Sequence, residues 1–357
     1  MLRSVAWCVA STMCLVPTAD ARPLLEDRAA ARAALAGIVA DHRLPGAAYV
    51  SIANGEVVYS DAVGVASRRT RKALTSATPM LIGSVSKPIA AAALMTLVEE
   101  GRVGLDLPIT TYLPDLRLAD PAAAQRITVR QVLSHTSGLG TFDGRTVLAD
   151  LGLDRDALRR HLAAMREVHV QGPPPRPFEY SNLNYQLVGA IIAAVSGEPY
   201  ERYVERRLFA PLGMQDSFVV DPPRGVPMPS GHRPWLSRLV DDGGALQGRA
   251  QGPTGFAAVP ARDLGKFLAA MASGRDDILR AQTKLAMLSP QPESPGYGLG
   301  WFLRTKTLPR YAYHAGYSPG FSAWVVVDPQ NRRAFGVIVN QGDGFLHVSG
   351  RATREAH

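Results

Sequence analysis

Cysteine is almost missing from this 357-residue chain: Cys8 and Cys14 are the only two, and both lie in the first 21 residues. Those residues read as an export signal. Arg3 gives the positive flank, residues 5–16 an uncharged and mostly apolar core, and Ala19-Asp20-Ala21 the small residues of a cleavage site. The alternative is an uncleaved anchor, although the core is short for a membrane span. With the segment removed no thiol remains, which excludes disulfides, thiolate nucleophiles and cysteine-bound metals. We therefore expect an exported protein, periplasmic or secreted, held together by its core alone.

Other absences narrow the function further. No HExxH motif and no carboxylate cluster with ligand spacing occurs, and His161, His169 and His232 are scattered, so neither a metal nor another cofactor is expected. The formal charge of +8 could draw anionic polymers or carboxylates. Arginine is nevertheless dispersed, and no basic block interleaves with aromatics, so no nucleic-acid partner is expected. Composition, 46% hydrophobic and 20% charged, is that of a folded globular chain.

Lysine is scarce too: Lys72, Lys87, Lys266, Lys284 and Lys306 are the whole set. Only Lys87 opens a largely uncharged stretch, Pro88-Ile89-Ala90-Ala91-Ala92-Ala93-Leu94-Met95. Burial there would make its amine lose a proton more easily. Ser84 stands three residues before it, on the same face of a helix, where an amine could take the hydroxyl's proton. The plainer alternative is a helix-capping serine beside a solvated lysine.

Element signals suggest a mixed architecture. A first helix is expected over 26–42, then a strand over 47–53 turned back by Asn54-Gly55 through 57–59. The helix carrying Ser84 and Lys87 should run to about Glu100. Helices are predicted near 128–133, 184–195, 200–208, 261–272 and 282–288, with a long surface loop over 221–252. Strands return at 311–315, 321–327 and 334–340. The reading is an α/β fold of the α+β type. One antiparallel sheet flanked by helices is built from both chain ends (22–100 and 251–357), with a mainly helical lobe over 101–250 inserted between.

Two further segments carry chemistry-bearing residues. In Tyr180-Ser181-Asn182 a phenol that can relay a proton stands near an amide that can hold a substrate carbonyl and N–H. Half-buried packing of Tyr180 and helix capping by Asn182 are the alternatives, and spacing leaves both open. In His314-Ala315-Gly316-Tyr317 the glycine permits close approach to the backbone, whose N–H groups could stabilise an oxyanion; a bulged edge strand is the alternative.

Together the three segments resemble the serine beta-lactamase and penicillin-binding-protein superfamily, whose signature is Ser-x-x-Lys, Tyr/Ser-x-Asn and a Lys-Thr-Gly-type triplet. The resemblance points to the class C beta-lactamase, DD-peptidase and esterase branch. It extends through Met80-Leu81-Ile82-Gly83, Leu133-Ser134-His135-Thr136-Ser137-Gly138-Leu139, Pro211-Leu212-Gly213-Met214 and Ala261-Arg262-Asp263-Leu264, spanning about 26–340. It implies a beta-lactamase/transpeptidase-like fold and an acyl-enzyme hydrolase of amides or esters. Ser84 would be the nucleophile, Lys87 its proton acceptor and Tyr180 the proton shuttle. Asn182, His314 and Gly316 would bind substrate, and the backbone N–H groups of Ser84 and Tyr317 would form the oxyanion hole. His135 resembles a loop-fixing residue.

Two departures matter. His314 replaces a lysine, and histidine is cationic only in part near neutral pH. That favours a DD-peptidase-like or esterase-like enzyme over a true beta-lactamase, with a non-hydrolytic penicillin-binding sensor as a further alternative. Few residues follow Asn340, so one sheet face is expected to be partly bare or covered by a second subunit. The expected partners are a small-molecule or peptide substrate, cell-wall material, and a homodimer mate.

Overall fold

The computed structural model describes residues 27–140, 152, 154, 156–220, 222, 228–235, 238–241, 248–304 and 311–344. The expected export segment, the chain after residue 344, most of 141–155 and much of the expected loop at 221–252 lie outside the described residues.

Asn54 and Gly55 both take the positive φ that a tight hairpin requires, and they turn β1 (Gly46–Ala53) into β2 (Glu56–Gly64). The pairing slips by one residue between Ser51 and Ile52, a bulge that increases the local twist. On the other side β1 pairs antiparallel with a strand from the far end of the chain, Ala47 opposite Val339 and Ser51 opposite Phe335. That strand, β11 (Arg333–Val339), continues a meander with β10 (Phe321–Asp328), β9 (Tyr311–Ser318) and β8 (Phe302–Arg304). The result is a six-stranded antiparallel sheet in the order β2-β1-β11-β10-β9-β8, completed by both chain ends as expected.

Helices cover both faces. Helix α1 (Arg28–Asp41) starts at Asp27, whose carboxylate accepts from the N–H groups of Ala29 and Ala30. Its Ala31, Leu35 and Ile38 pack on Tyr49, Tyr59, Trp324 and Val337 of the outer sheet face. The inner face meets Leu264 and Leu268, and a methyl group on Gly336 would already press on both. Helix α2 (Ser86–Glu99) buries twelve of its fourteen residues, so an apolar surface all round makes it the central helix. Against it lies α3 (Asn182–Ser196), and α4 (Ala261–Ala272) covers the sheet.

Differences from expectation have local causes. A second sheet of β3 (Met80–Leu81), β4 (Phe218–Val219) and β7 (Ala257–Val259) was not anticipated, because two or three residues are too few to display alternation. The same brevity hid β8. Part of the expected long loop is structured instead: β5 (His232–Trp235) pairs with β6 (Arg238–Asp241), and Arg249–Gln251 makes a helical turn. The helix expected over 200–208 is α-helical only over Tyr200–Val204 and continues as a wider turn over Glu205–Phe209. Among the described residues no helix is long and apolar enough to cross a membrane.

Candidate active site

Ser84 sits in a tight helical turn, Gly83–Val85, directly ahead of α2. Gly83 has a φ of 53°, and a side chain there would collide with the backbone of Tyr317 on β9. A side chain on Gly316 would collide with the Ile82 carbonyl and come within 3.0 Å of the Ser84 nitrogen. Two glycines thus let the turn and β9 touch, bringing the Ser84 and Tyr317 amides to one small space. Ser84 itself stays partly open to solvent.

Lys87 is wholly buried on the first turn of α2. Its Nζ lies 3.1 Å from Ser84 Oγ, 2.8 Å from Asn182 Oδ1 and 2.9 Å from the Thr254 carbonyl oxygen. Burial drives its pKa well below the usual lysine range, and no anion is among the causes that would offset it. A neutral amine has two hydrogens and one lone pair. Two carbonyl-type acceptors take the hydrogens, which leaves the lone pair for the Ser84 proton.

Tyr180 precedes α3, its phenol beside Ser84 and its ring centroid 4.8 Å from Lys87 Nζ. Burial raises the phenol's pKa, with the Ser84 hydroxyl acting against that rise, so the proton stays on. Asn182 is the first helical residue of α3 rather than its cap; Ser181 holds the cap position, and the Asn182 amide oxygen goes to Lys87. His135, at a φ of 60°, pins this segment: its Nδ1 accepts from the Ser181 N–H at 3.2 Å and stands 3.1 Å from Asn184 Nδ2.

His314 corrects one expectation. It is completely buried, with Nδ1 2.8 Å from the Ala315 carbonyl oxygen and Nε2 3.3 Å from the Tyr297 hydroxyl. Burial first, and any proton on Lys87 second, push its pKa down to about 3. The imidazole is therefore uncharged near neutral pH rather than partly cationic, because enclosure and a neighbouring amine both disfavour a second proton. Since a carbonyl can only accept, Nδ1 carries the hydrogen.

Sequence reasoning missed Thr254 and Tyr297. The first contributes a backbone carbonyl, which no side-chain motif can signal. The second lies in Gly296-Tyr297-Gly298-Leu299-Gly300-Trp301, a glycine alternation that marks close backbone contacts and could have been noticed. A surface groove of about 500 Å³ beside Glu56, Leu212 and Arg275 contains none of these residues. No cluster of three metal-capable side chains occurs among the described residues.

Comparison with known proteins places the chain in a family. The beta-lactamase family model matches residues 31–357. The chain is 33% identical over 181 residues to penicillin-binding protein 4 of Amycolatopsis lactamdurans, covering 50% of this chain and 46% of that one. It is 31% identical over 201 residues to esterase EstB of Burkholderia gladioli, covering 53% and 51%. It therefore matches about half the length of each of these two relatives. Among solved structures, D-amino acid amidase from Ochrobactrum anthropi SV3, complexed with L-phenylalanine amide, superimposes with a TM-score of 0.74 at 27% identity, covering 91% of this chain and 97% of that one. A family match over nearly the whole chain, on a helix-flanked antiparallel sheet, makes this protein a member of the beta-lactamase family.

Proposed function

We propose that the protein hydrolyses an ester or amide through an acyl-enzyme on Ser84, closer in activity to a DD-peptidase or esterase than to a beta-lactamase. The observation that carries this is the buried Lys87 amine, 3.1 Å from Ser84 Oγ with its hydrogens committed to Asn182 and Thr254. Lys87 takes the hydroxyl proton while Ser84 Oγ bonds to the acyl carbon. The Ser84 and Tyr317 amides hold the developing oxyanion. Tyr180 passes a proton to the leaving alkoxide or amine as its bond to the acyl carbon breaks, and is reprotonated from Lys87. Water then attacks the acyl-enzyme, and its proton returns along the same groups to Ser84.

Relatives that include an esterase and a D-amino acid amidase support this breadth of substrate. The neutral His314 weighs against efficient beta-lactam turnover. The experiment is a panel of esters, D-amino-acid amides and peptides, and nitrocefin, run beside Ser84→Ala with intact-mass detection of the adduct. Hydrolysis that survives the substitution overturns the mechanism. An adduct that forms and never releases identifies a penicillin-binding sensor instead. Export, contact with cell-wall material and a homodimer belong to the same proposal, and are read by cell fractionation, cell-wall co-sedimentation and light scattering.

A further inference from the structure

The turn that follows β2 carries four cations in five residues, Arg68-Arg69-Thr70-Arg71-Lys72, and all five residues are exposed. Its backbone is firmly held. Val65 bridges to Ala73, the Ala66 N–H donates to the Lys72 carbonyl at 2.8 Å, and the Arg71 N–H donates to the Ser67 carbonyl at 2.9 Å. Arg71 takes a φ of 57°, a left-handed conformation that suits glycine and costs a residue with a side chain. The chain keeps an arginine where glycine would fit more easily.

Elsewhere exposed arginines face acids, as in Arg32–Asp61, Arg130–Asp106, Arg160–Asp154, Arg262–Asp216 and Arg275–Glu56. Among the described residues no carboxylate pairs with Arg68, Arg69, Arg71 or Lys72. Like charges this close repel one another and gain nothing inside the fold. Only an anion outside the molecule would offset that repulsion.

The tip stands at the cleft end of the sheet. The pairings Gly46–Gly64, Ala47–Val339, Ser322–Val339 and Phe321–Ser318 put the end of β2 and the end of β9 on one edge. Four strand spacings, about 19 Å, separate them, and Tyr317 on β9 adjoins the Ser84 turn. The base of the tip is tied to the same edge, because the Asn340 amide donates to the Val65 carbonyl and the Ser230 N–H to the Ala66 carbonyl, each at 3.0 Å.

The shape of the cluster favours one kind of partner. It offers no aromatic ring on which a base could stack, and the surface grooves beside Leu212 and beside Leu285 are lined by other residues. A protruding turn meets a flat, densely anionic plane with all its side chains together, and each cation near such a plane adds to the attraction. We propose that residues 68–72 dock the protein on an anionic lipid bilayer, with the Ser84 cleft turned toward substrates carried at that surface. The docking stands by itself; the turning of the cleft toward substrate rests on the acyl-enzyme reading.

The test is co-sedimentation of the full chain with vesicles of phosphatidylcholine alone, or of phosphatidylcholine and phosphatidylglycerol in equal parts. Wild type should bind the anionic vesicles at least about tenfold more strongly, and lose that advantage in high salt. Any apolar contribution from another segment would appear with both lipids. Arg71→Gly, which relieves the left-handed backbone, should keep Tm and weaken binding. Arg69→Gln, Arg71→Gly and Lys72→Gln combined should weaken it by about tenfold or more. The control, Arg126→Gln, Arg159→Gln and Arg166→Gln combined, removes equal charge from arginines that already face acids, and should stay within about threefold of wild type. A fluorogenic ester attached to a lipid headgroup should be hydrolysed about tenfold more slowly by the tip variant, with its soluble counterpart unchanged within about twofold.

Equal binding to both lipids, or equal loss in the two triple variants, overturns the docking. Polyglycerol phosphate or single-stranded DNA that strips the protein from vesicles at matched charge moves the partner to a polymer and overturns the lipid assignment. An unchanged rate on the lipid-borne ester despite lost binding overturns the orientation. Failure to hydrolyse either ester, with no fluorophosphonate label, takes down the acyl-enzyme reading and leaves the vesicle result to decide the docking.

Discussion

Two lysines in different parts of the molecule are buried beside a serine, and only one has the surroundings of a catalytic base. Lys284 Nζ lies 3.4 Å from Ser273 Oγ, 2.7 Å from the Ala270 carbonyl oxygen, and also on the Arg275 carbonyl. Those carbonyls lie at and just beyond the end of α4, where a cation satisfies orphan acceptors and suits the helix dipole. Burial lowers the pKa of both amines, but Asp277 and Asp276 act against the shift at Lys284, whereas burial is the one cause at Lys87. Ser273 is buried with its hydroxyl donated to Ala270 O, while Ser84 is partly open and backed by a phenol. A buried serine–lysine contact is thus a structural device unless the hydroxyl is reachable, the amine lacks anions and a second proton carrier is adjacent.

The contrast breaks first at the hydroxyl. Ser84→Ala should lower kcat/KM on a reactive ester by more than about ten-thousandfold and abolish labelling by a fluorophosphonate, read by gel fluorescence. Lys87→Met should cost about a thousandfold in kcat. Tyr180→Phe should cost about a hundredfold, mostly in kcat, with larger losses for poor leaving groups, measured across a series of substituted phenyl esters. At the other lysine the readout changes. Lys284→Met should keep kcat within about threefold while lowering unfolding stability by about 1–3 kcal/mol, because it strands two carbonyls at the end of α4. An equal loss of activity at Lys284 would erase the distinction.

A finer separation comes from pH. Lys87 binds its proton less tightly folded than unfolded, so the unfolded chain holds more protons between the two pKa values. Stability then rises with pH from the lowered folded value up to the ordinary lysine value, by at most about 1.4 kcal/mol per pH unit. Lys87→Met should flatten that rise in Tm between about pH 7 and 10, and Lys284→Met should flatten it less. The activity should fall in the opposite direction, as acid protonates the Lys87 amine and removes the lone pair.

Much of this was legible beforehand for a physical reason: it is local. The Ser84–Lys87 spacing is one helical turn, the Asn54-Gly55 hairpin needs two left-handed residues, and α2 announces itself as an apolar run. Lys284 was not singled out, because its Ala281–Met287 helix carries no unusual pattern and its partners come from the end of α4. Thr254 was invisible as a backbone carbonyl. The short β3, β4 and β7 were invisible because pairing, rather than propensity, creates strands of two or three residues. His314 was read with the wrong charge, since its protonation depends on complete burial and on Lys87.

By itself the sequence determined which side chains could perform chemistry and which local turns would present them. Only the tertiary structure decided their protonation. Asn182 and Thr254 reach Lys87 from 95 and 167 residues away, and the same packing strips water from His314. Desolvation is set by everything that surrounds a group, so the states of that amine and that imidazole belong to the fold rather than to any motif.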